Sequence, residues 1–178
     1  MAHVAVTAIG TDRPGIVAAV TKVLVDHDCN LEDSSMTVLR GHFAMMLVVA
    51  IPVGLDAATL DSDLSRAMKP LGLVVTVRAI DDDAPPSPSG DEWSVAVYGA
   101  DRPGIVHAIA QTLADLEVNI VDLSTRVLGD LGRPVYAMLL DVTVPGHVEP
   151  DNLRAALDRL GTEMGVECTM HPAEADIL

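Results

Sequence analysis

The stretch Asp12-Arg13-Pro14-Gly15-Ile16-Val17 returns letter for letter as Asp101-Arg102-Pro103-Gly104-Ile105-Val106, 89 positions later (101 − 12). A run rich in small and β-branched residues precedes each copy, and a run with helical apolar spacing follows it. The chain is therefore duplicated, and each copy of the hexapeptide stands where a strand hands over to a helix. For 178 residues this implies two modules of about 80 residues, a size that can just bury its own core.

The start of a helix has its own chemistry. Its first N–H groups lack intrahelical partners and carry part of the positive end of the dipole. Asp12 has the side chain of an N-cap, expected to accept from the Gly15 N–H. Pro14 suits the first turn, and Gly15 allows close approach to the backbone. The expected product is a cradle for a carboxylate or phosphate. The alternative is a well-capped strand-to-helix turn with no ligand.

Charge and composition narrow the function. The net charge is −15. Residues 1–83 carry 6 basic and 11 acidic groups, and residues 84–178 carry 5 and 15. Such a surface repels nucleic-acid phosphates, and 2% aromatic residues offer no stacking platform for bases, so no direct nucleic-acid binding is expected. No apolar run reaches the ~18 residues of a membrane span. The N-terminus has neither the basic start nor the apolar stretch of a signal peptide, so a cytoplasmic protein is expected. Cys29 and Cys168 take the places of Val118 and Val75 in the other copy, which predicts buried reduced thiols.

Taken in order, residues 3–10 read as a central strand and residues 14–28 as a helix with Ile16, Val20, Val23, Leu24 and His27 on one face. His27 matches Leu116 and reads as a partly buried structural histidine. Residues 31–40 read as a more polar edge strand, Gly41 as a turn, residues 43–51 as a central strand with core-filling methionines, 56–69 as a second helix and 73–80 as a last strand. Residues 82–91, in a segment rich in Asp, Pro and Ser, read as a semi-rigid linker. Residues 92–172 repeat the plan with a hairpin at 129–134 four residues longer, and 173–178 form a tail. The expected fold class is α+β: two tandem ferredoxin-like βαββαβ modules, each a four-stranded antiparallel sheet with two helices on one face.

Asp-Arg-Pro-Gly-Ile-Val after a strand, with Asn30-Leu31 or Asn119-Ile120 some 18 residues on, resembles the ACT domain, a small-molecule sensor. Two such modules resemble the glycine cleavage system transcriptional repressor family, a group of amino-acid-binding regulators. The resemblance implies an amino-acid ligand at an interface between two ACT modules. Carried over residue by residue, its site is Gly10, Thr11, Asp12, Arg13, Gly15, Ile16, Val17 and Asn30 in the first module. In the second it is Gly99, Ala100, Asp101, Arg102, Gly104, Ile105, Val106 and Asn119.

The chemistry of that assignment is coherent. The carboxylate of a zwitterion would take the N–H groups of Gly15, Ile16 and Val17. Its ammonium would take the Asp12 carboxylate, the Asn30 oxygen or strand carbonyls. Thr11 against Ala100 is the main difference between the cradles, and the Gly and Ala surroundings suggest a small amino acid such as glycine, serine or alanine. Gly15→Val and Gly104→Val are expected to weaken binding without unfolding. The edge strands 31–39 and 120–128 are candidates to pair side by side, within one chain or between two, giving a homo-oligomer through sheet edges.

These features give a non-enzymatic sensor that signals to a protein partner, with no cofactor and no metal. The alternatives are a regulatory subunit of an amino-acid biosynthetic enzyme and a structural dimer module with vestigial sites. An enzyme is disfavoured. No Ser/His/Asp constellation or Cys/His pair stands at telling spacing, the six histidines show no metal-ligand spacing, and His107 aligns with Ala18, so no role is shared between the copies.

Overall fold

The computed structural model describes residues 2–80, 89–128 and 135–173. The chain divides into two compact units, residues 1–84 and 85–178. Most of the expected linker, the long hairpin 129–134 and most of the tail lie outside the described residues.

The first unit runs β1 (Ala2–Thr11), α1 (Ile16–Asp26), β2 (Asn30–Leu39), β3 (His42–Ile51), α2 (Ala57–Met68), a 3-10 turn (Lys69–Leu71) and β4 (Val74–Ile80). The second runs β5 (Asp91–Gly99), α3 (Ile105–Asp115), β6 (Asn119–Leu128), β7 (Val135–Val144), α4 (Pro150–Met164) and β8 (Val166–Pro172). All strand pairs are antiparallel, in the orders β2-β3-β1-β4 and β6-β7-β5-β8. The expected βαββαβ arrangement is present in both, with the two apolar strands of each module in the centre.

Alternation along the strands builds one core per unit. Val4, Val6 and Ala8 of β1 and Phe43, Met45, Leu47, Val49 and Ile51 of β3 point to the same side. There they meet Ile16, Val20 and Leu24 of α1 and Leu60, Leu64 and Met68 of α2, spaced as one helical face. Val95, Val97, Met138, Leu140, Ile109, Leu113, Leu153 and Leu157 do the same in the second unit. Among the described residues the opposite sheet face carries no helix, and it leaves Ile9, Met46 and Val74 exposed in the first unit and Tyr98 and Leu139 in the second.

Local chemistry sets the ends of these elements. Arg40 (φ 49) and Gly41 (φ 80) form the two-residue turn between β2 and β3, the geometry that matches strand twist. Asp56 caps α2, accepting from the Thr59 N–H at 2.7 Å; that bond holds its carboxyl below the usual aspartate range. His27 is half-buried, as its helical position indicated, with Nε2 at 3.1 Å from Asp63, which also holds Arg66 at 3.0 Å. Both cysteines are free and half-buried. Burial first, then the Asp28 and Asp158 carboxylates respectively, push the two thiols up, which disfavours the thiolate form.

The two edges of the first sheet are unlike. Asp61 of α2 reaches over β4 and accepts from the outward N–H of Val77 at 2.7 Å, so that edge is partly closed. Every residue of β2 is exposed. Asp61→Ala leaves the Val77 N–H without its carboxylate, and we expect a loss of about 1 kcal/mol in urea denaturation; an unchanged midpoint would show that water replaces the carboxylate at no loss.

Candidate functional site

The duplicated hexapeptide forms the turn from β1 into α1 and from β5 into α3. The helices begin at Ile16 and Ile105, later than the cap signature suggested. Asp12 and Asp101 are not their caps. The N-cap positions belong to Gly15 (φ 93) and Gly104 (φ 96), and among the described residues no side chain caps either helix. The reason lies in the loop's path. The Asp12 N–H donates to the Gly41 carbonyl at 2.9 Å, which ties the loop to the β2–β3 turn and uses the residues before Gly15 as a bridge. A glycine with positive φ then turns the chain into the helix.

The consequence is a helix mouth more open than a side-chain cap would leave. The first intrahelical bonds are Ala19 N–H to Gly15 O and Ala108 N–H to Gly104 O, each 2.9 Å. Among the described residues, no acceptor meets the N–H groups of Ile16, Val17 and Ala18, or those of Ile105, Val106 and His107. The Ile16 and Ile105 side chains are core, so only their backbone can serve a ligand. Asp12, Arg13, Gly15 and Val17 are exposed, as are Ala100, Asp101, Arg102, Gly104 and Val106.

Gly10 and Gly99 have another use. A β-carbon on Gly10 would lie 2.6 Å from Leu73 Cδ2 and 2.8 Å from the Gly72 carbonyl, and one on Gly99 would lie 2.7 Å from Val166 Cγ1. Both glycines let the last strand of their module pack close. Thr11 is exposed at the end of β1, opposite His42.

Two features separate the mouths. In the second module Arg102 lies over the turn that ends α4, where a β-carbon on Gly165 would sit 3.4 Å from its Nη1; this favours the negative end of that helix. The corresponding Gly72 has no atom that close among the described residues, and Arg13 does not lie over it. The second is Tyr136, in the place of Phe43 and opposite Gly99. It is buried, and its hydroxyl donates to Met138 Sδ at 3.9 Å and also meets the Thr125 side chain. Burial first, then the Asp101 carboxylate, push that hydroxyl up. Sequence reasoning passed over Tyr136; its substitution for Phe at a matched core position was the available signal.

The asparagines stand elsewhere. Asn30 pairs with Ala50, which pairs with His3, at the far end of β1 from Thr11. Eight strand positions at about 3.3 Å each separate the two ends, roughly 26 Å. Asn119 likewise pairs with Thr143, which faces Glu92, at the far end of β5 from Gly99. One small ligand cannot touch the helix mouth and the asparagine of the same module.

Among the described residues, no group of three or more His, Cys, Asp or Glu side chains is placed to hold a metal ion. No helix among them is long and apolar enough to cross a membrane.

The model of the ACT domain matches residues 2–78 and 94–171. Over 169 residues the chain is 27% identical to the glycine cleavage system transcriptional repressor of Escherichia coli, covering 93% of this chain and 87% of that protein. Over 169 residues it is also 31% identical to the phosphoserine phosphatase SerB2 of Mycobacterium tuberculosis, covering 92% of this chain but only 39% of that protein. A solved structure of an unknown protein from Galdieria sulphuraria superposes with a TM-score of 0.84 at 30% identity, covering 97% of this chain and 99% of that one. The repeated turn, the two βαββαβ sheets and these matches have one meaning: the chain belongs to the ACT domain family, with the domain present twice.

Proposed function

We infer that this protein is a non-enzymatic sensor of a small amino acid, and that each complete binding site needs two modules set edge to edge. What supports the reading is the separation of the two halves of the site within a module. The open helix mouth can take a carboxylate through backbone N–H groups, and the asparagine that would serve the ammonium is roughly 26 Å away along the sheet. Antiparallel pairing of two first-edge strands brings the start of one beside the end of the other. The Asp12–Gly41 hydrogen bond keeps the mouth beside the end of β2, so the neighbour's asparagine arrives where the mouth is.

The edges suit this use. β2 is exposed along its whole length, and it presents Leu31, Met36, Val38 and Leu39. Exposed apolar edge strands are templates for pairing. A ligand that bridges two modules favours the paired state by the difference in its affinity for paired and unpaired forms, and that difference is what a protein partner would read. The similarity to the glycine cleavage system transcriptional repressor supports a role in glycine or other amino-acid metabolism. The acidic surface makes a protein the fitting receiver of the signal. Isothermal titration against the twenty amino acids should give saturable heat for one or a few small ones. Flat traces for all twenty, with folded protein, would reject the sensor.

A further inference from the structure

At the end of the second sheet away from the helix mouth, Asn119 of β6, Thr143 of β7 and Glu92 of β5 lie in one row across three strands. They line a cavity of about 550 Å3, walled also by Gly90 and Val121. Thr143 is 9% exposed. Its hydroxyl has no hydrogen-bond partner among the described residues and faces the cavity with the Asn119 amide. The hydroxyl oxygen is not sealed off, since the buried side-chain nitrogen or oxygen left without a partner among the described residues is Trp93 Nε1; the Thr143 hydroxyl is reached from the cavity and is free to bond a group that enters it. Gly90 keeps the wall in place, because any β-carbon there would overlap the Val144 carbonyl.

The chemistry of the row selects its ligand. Glu92 only accepts, while the Thr143 hydroxyl and the Asn119 carbonyl oxygen can also accept. Three acceptors match the three N–H donors of a primary ammonium. Among the described residues no Lys or Arg lines the cavity, so an anion would meet the Glu92 carboxylate uncompensated. The first module has no such row. Its counterparts are Asn30, Ala50 and His3, with a methyl group in the middle and His3 bridged to Glu32 at 3.2 Å.

We propose that Asn119, Thr143 and Glu92 form a receptor for a primary ammonium group, present in the second module and absent from the first. Thr143 and Glu92 are then specificity-determining residues beside Asn119. The proposal rests on the sensor reading only in assigning that ammonium to an amino acid.

The test uses the full chain, labelled with 15N and titrated with methylammonium chloride against matched potassium chloride. The expected result is saturable shifts of the Glu92, Asn119 and Thr143 amides and none at His3, Asn30 and Ala50. Glu92→Gln and Thr143→Val should each weaken the response at least five-fold, and Thr143→Ser should restore it, which separates a lost hydroxyl from a disturbed fold. Absence of saturation, equal shifts in both modules, or an unchanged response in Glu92→Gln would overturn the proposal. If methylammonium behaves as expected and no amino acid binds, the receptor stands and the sensor reading falls. If an amino acid binds and neither Glu92→Gln nor Thr143→Val alters its affinity, the receptor falls and the sensor reading stands.

Discussion

Gly15→Val should lower the melting temperature of the first module by roughly 8 to 16 °C, and Gly104→Val should do the same in the second. Among the described residues nothing crowds these glycines; a β-carbon on either would meet no atom of them within 4 Å. The penalty is conformational. Both sit at φ above +90°, where a β-branched residue is a true outlier and a non-glycine costs about 2 kcal/mol. In a module of this size each kcal/mol is worth about 4–8 °C. A stability loss is thus expected beside the weaker binding: the position is structural before it is a binding site. Gly15→Asn separates the two roles, since asparagine tolerates positive φ. It should recover most of the stability while its side chain stands at the helix mouth and weakens amino-acid binding. A valine variant that melts with the parent protein would mean that the turn relaxes to an ordinary conformation.

Leu64→Ala should cost about 3 kcal/mol, within the 2–5 kcal/mol range of fully buried leucines. Leu64 is 0% exposed and packs among Phe43, Leu47 and Leu60 in the core of the first unit. That loss is a large share of what a module of about 80 residues holds, roughly 4–12 kcal/mol. The chain supplies its own probe for where the damage falls. Its one tryptophan, Trp93, and both tyrosines, Tyr98 and Tyr136, belong to the second unit. The two cores share no residue, so urea unfolding followed by tryptophan fluorescence should keep its midpoint, while far-ultraviolet circular dichroism acquires an earlier transition. Equal displacement of both signals would show that the two cores unfold as one cooperative unit.

Elements with strong periodicity were legible from the sequence. Alternating strands and helical apolar faces report which side of an element is buried, and burial is what fixes them, so the order of strands and helices, the edge position of the polar strands and the packed face of α1 with half-buried His27 could all be read. The capping of α1 could not. Asp12 and Pro14 carry a good helix-start signature, but the Gly41 carbonyl competes for the loop and moves the start to Gly15. That contact joins residues 29 positions apart (41 − 12), and no local propensity contains it.

The candidate site divides in the same way. The hexapeptide, its place between strand and helix, and its duplication belong to the sequence alone, because they rest on local backbone chemistry and on identity between two stretches of one chain. Tertiary structure decided which residues stand together. A spacing of 18 residues from Asp12 to Asn30 places the asparagine near the cradle on paper, but α1 carries the chain back along the whole sheet before β2 begins, which puts the two at opposite ends. The same folding lines up Glu92, Asn119 and Thr143, which are up to 51 positions apart (143 − 92). Strand pairing sets those neighbours, and pairing is a property of the folded sheet.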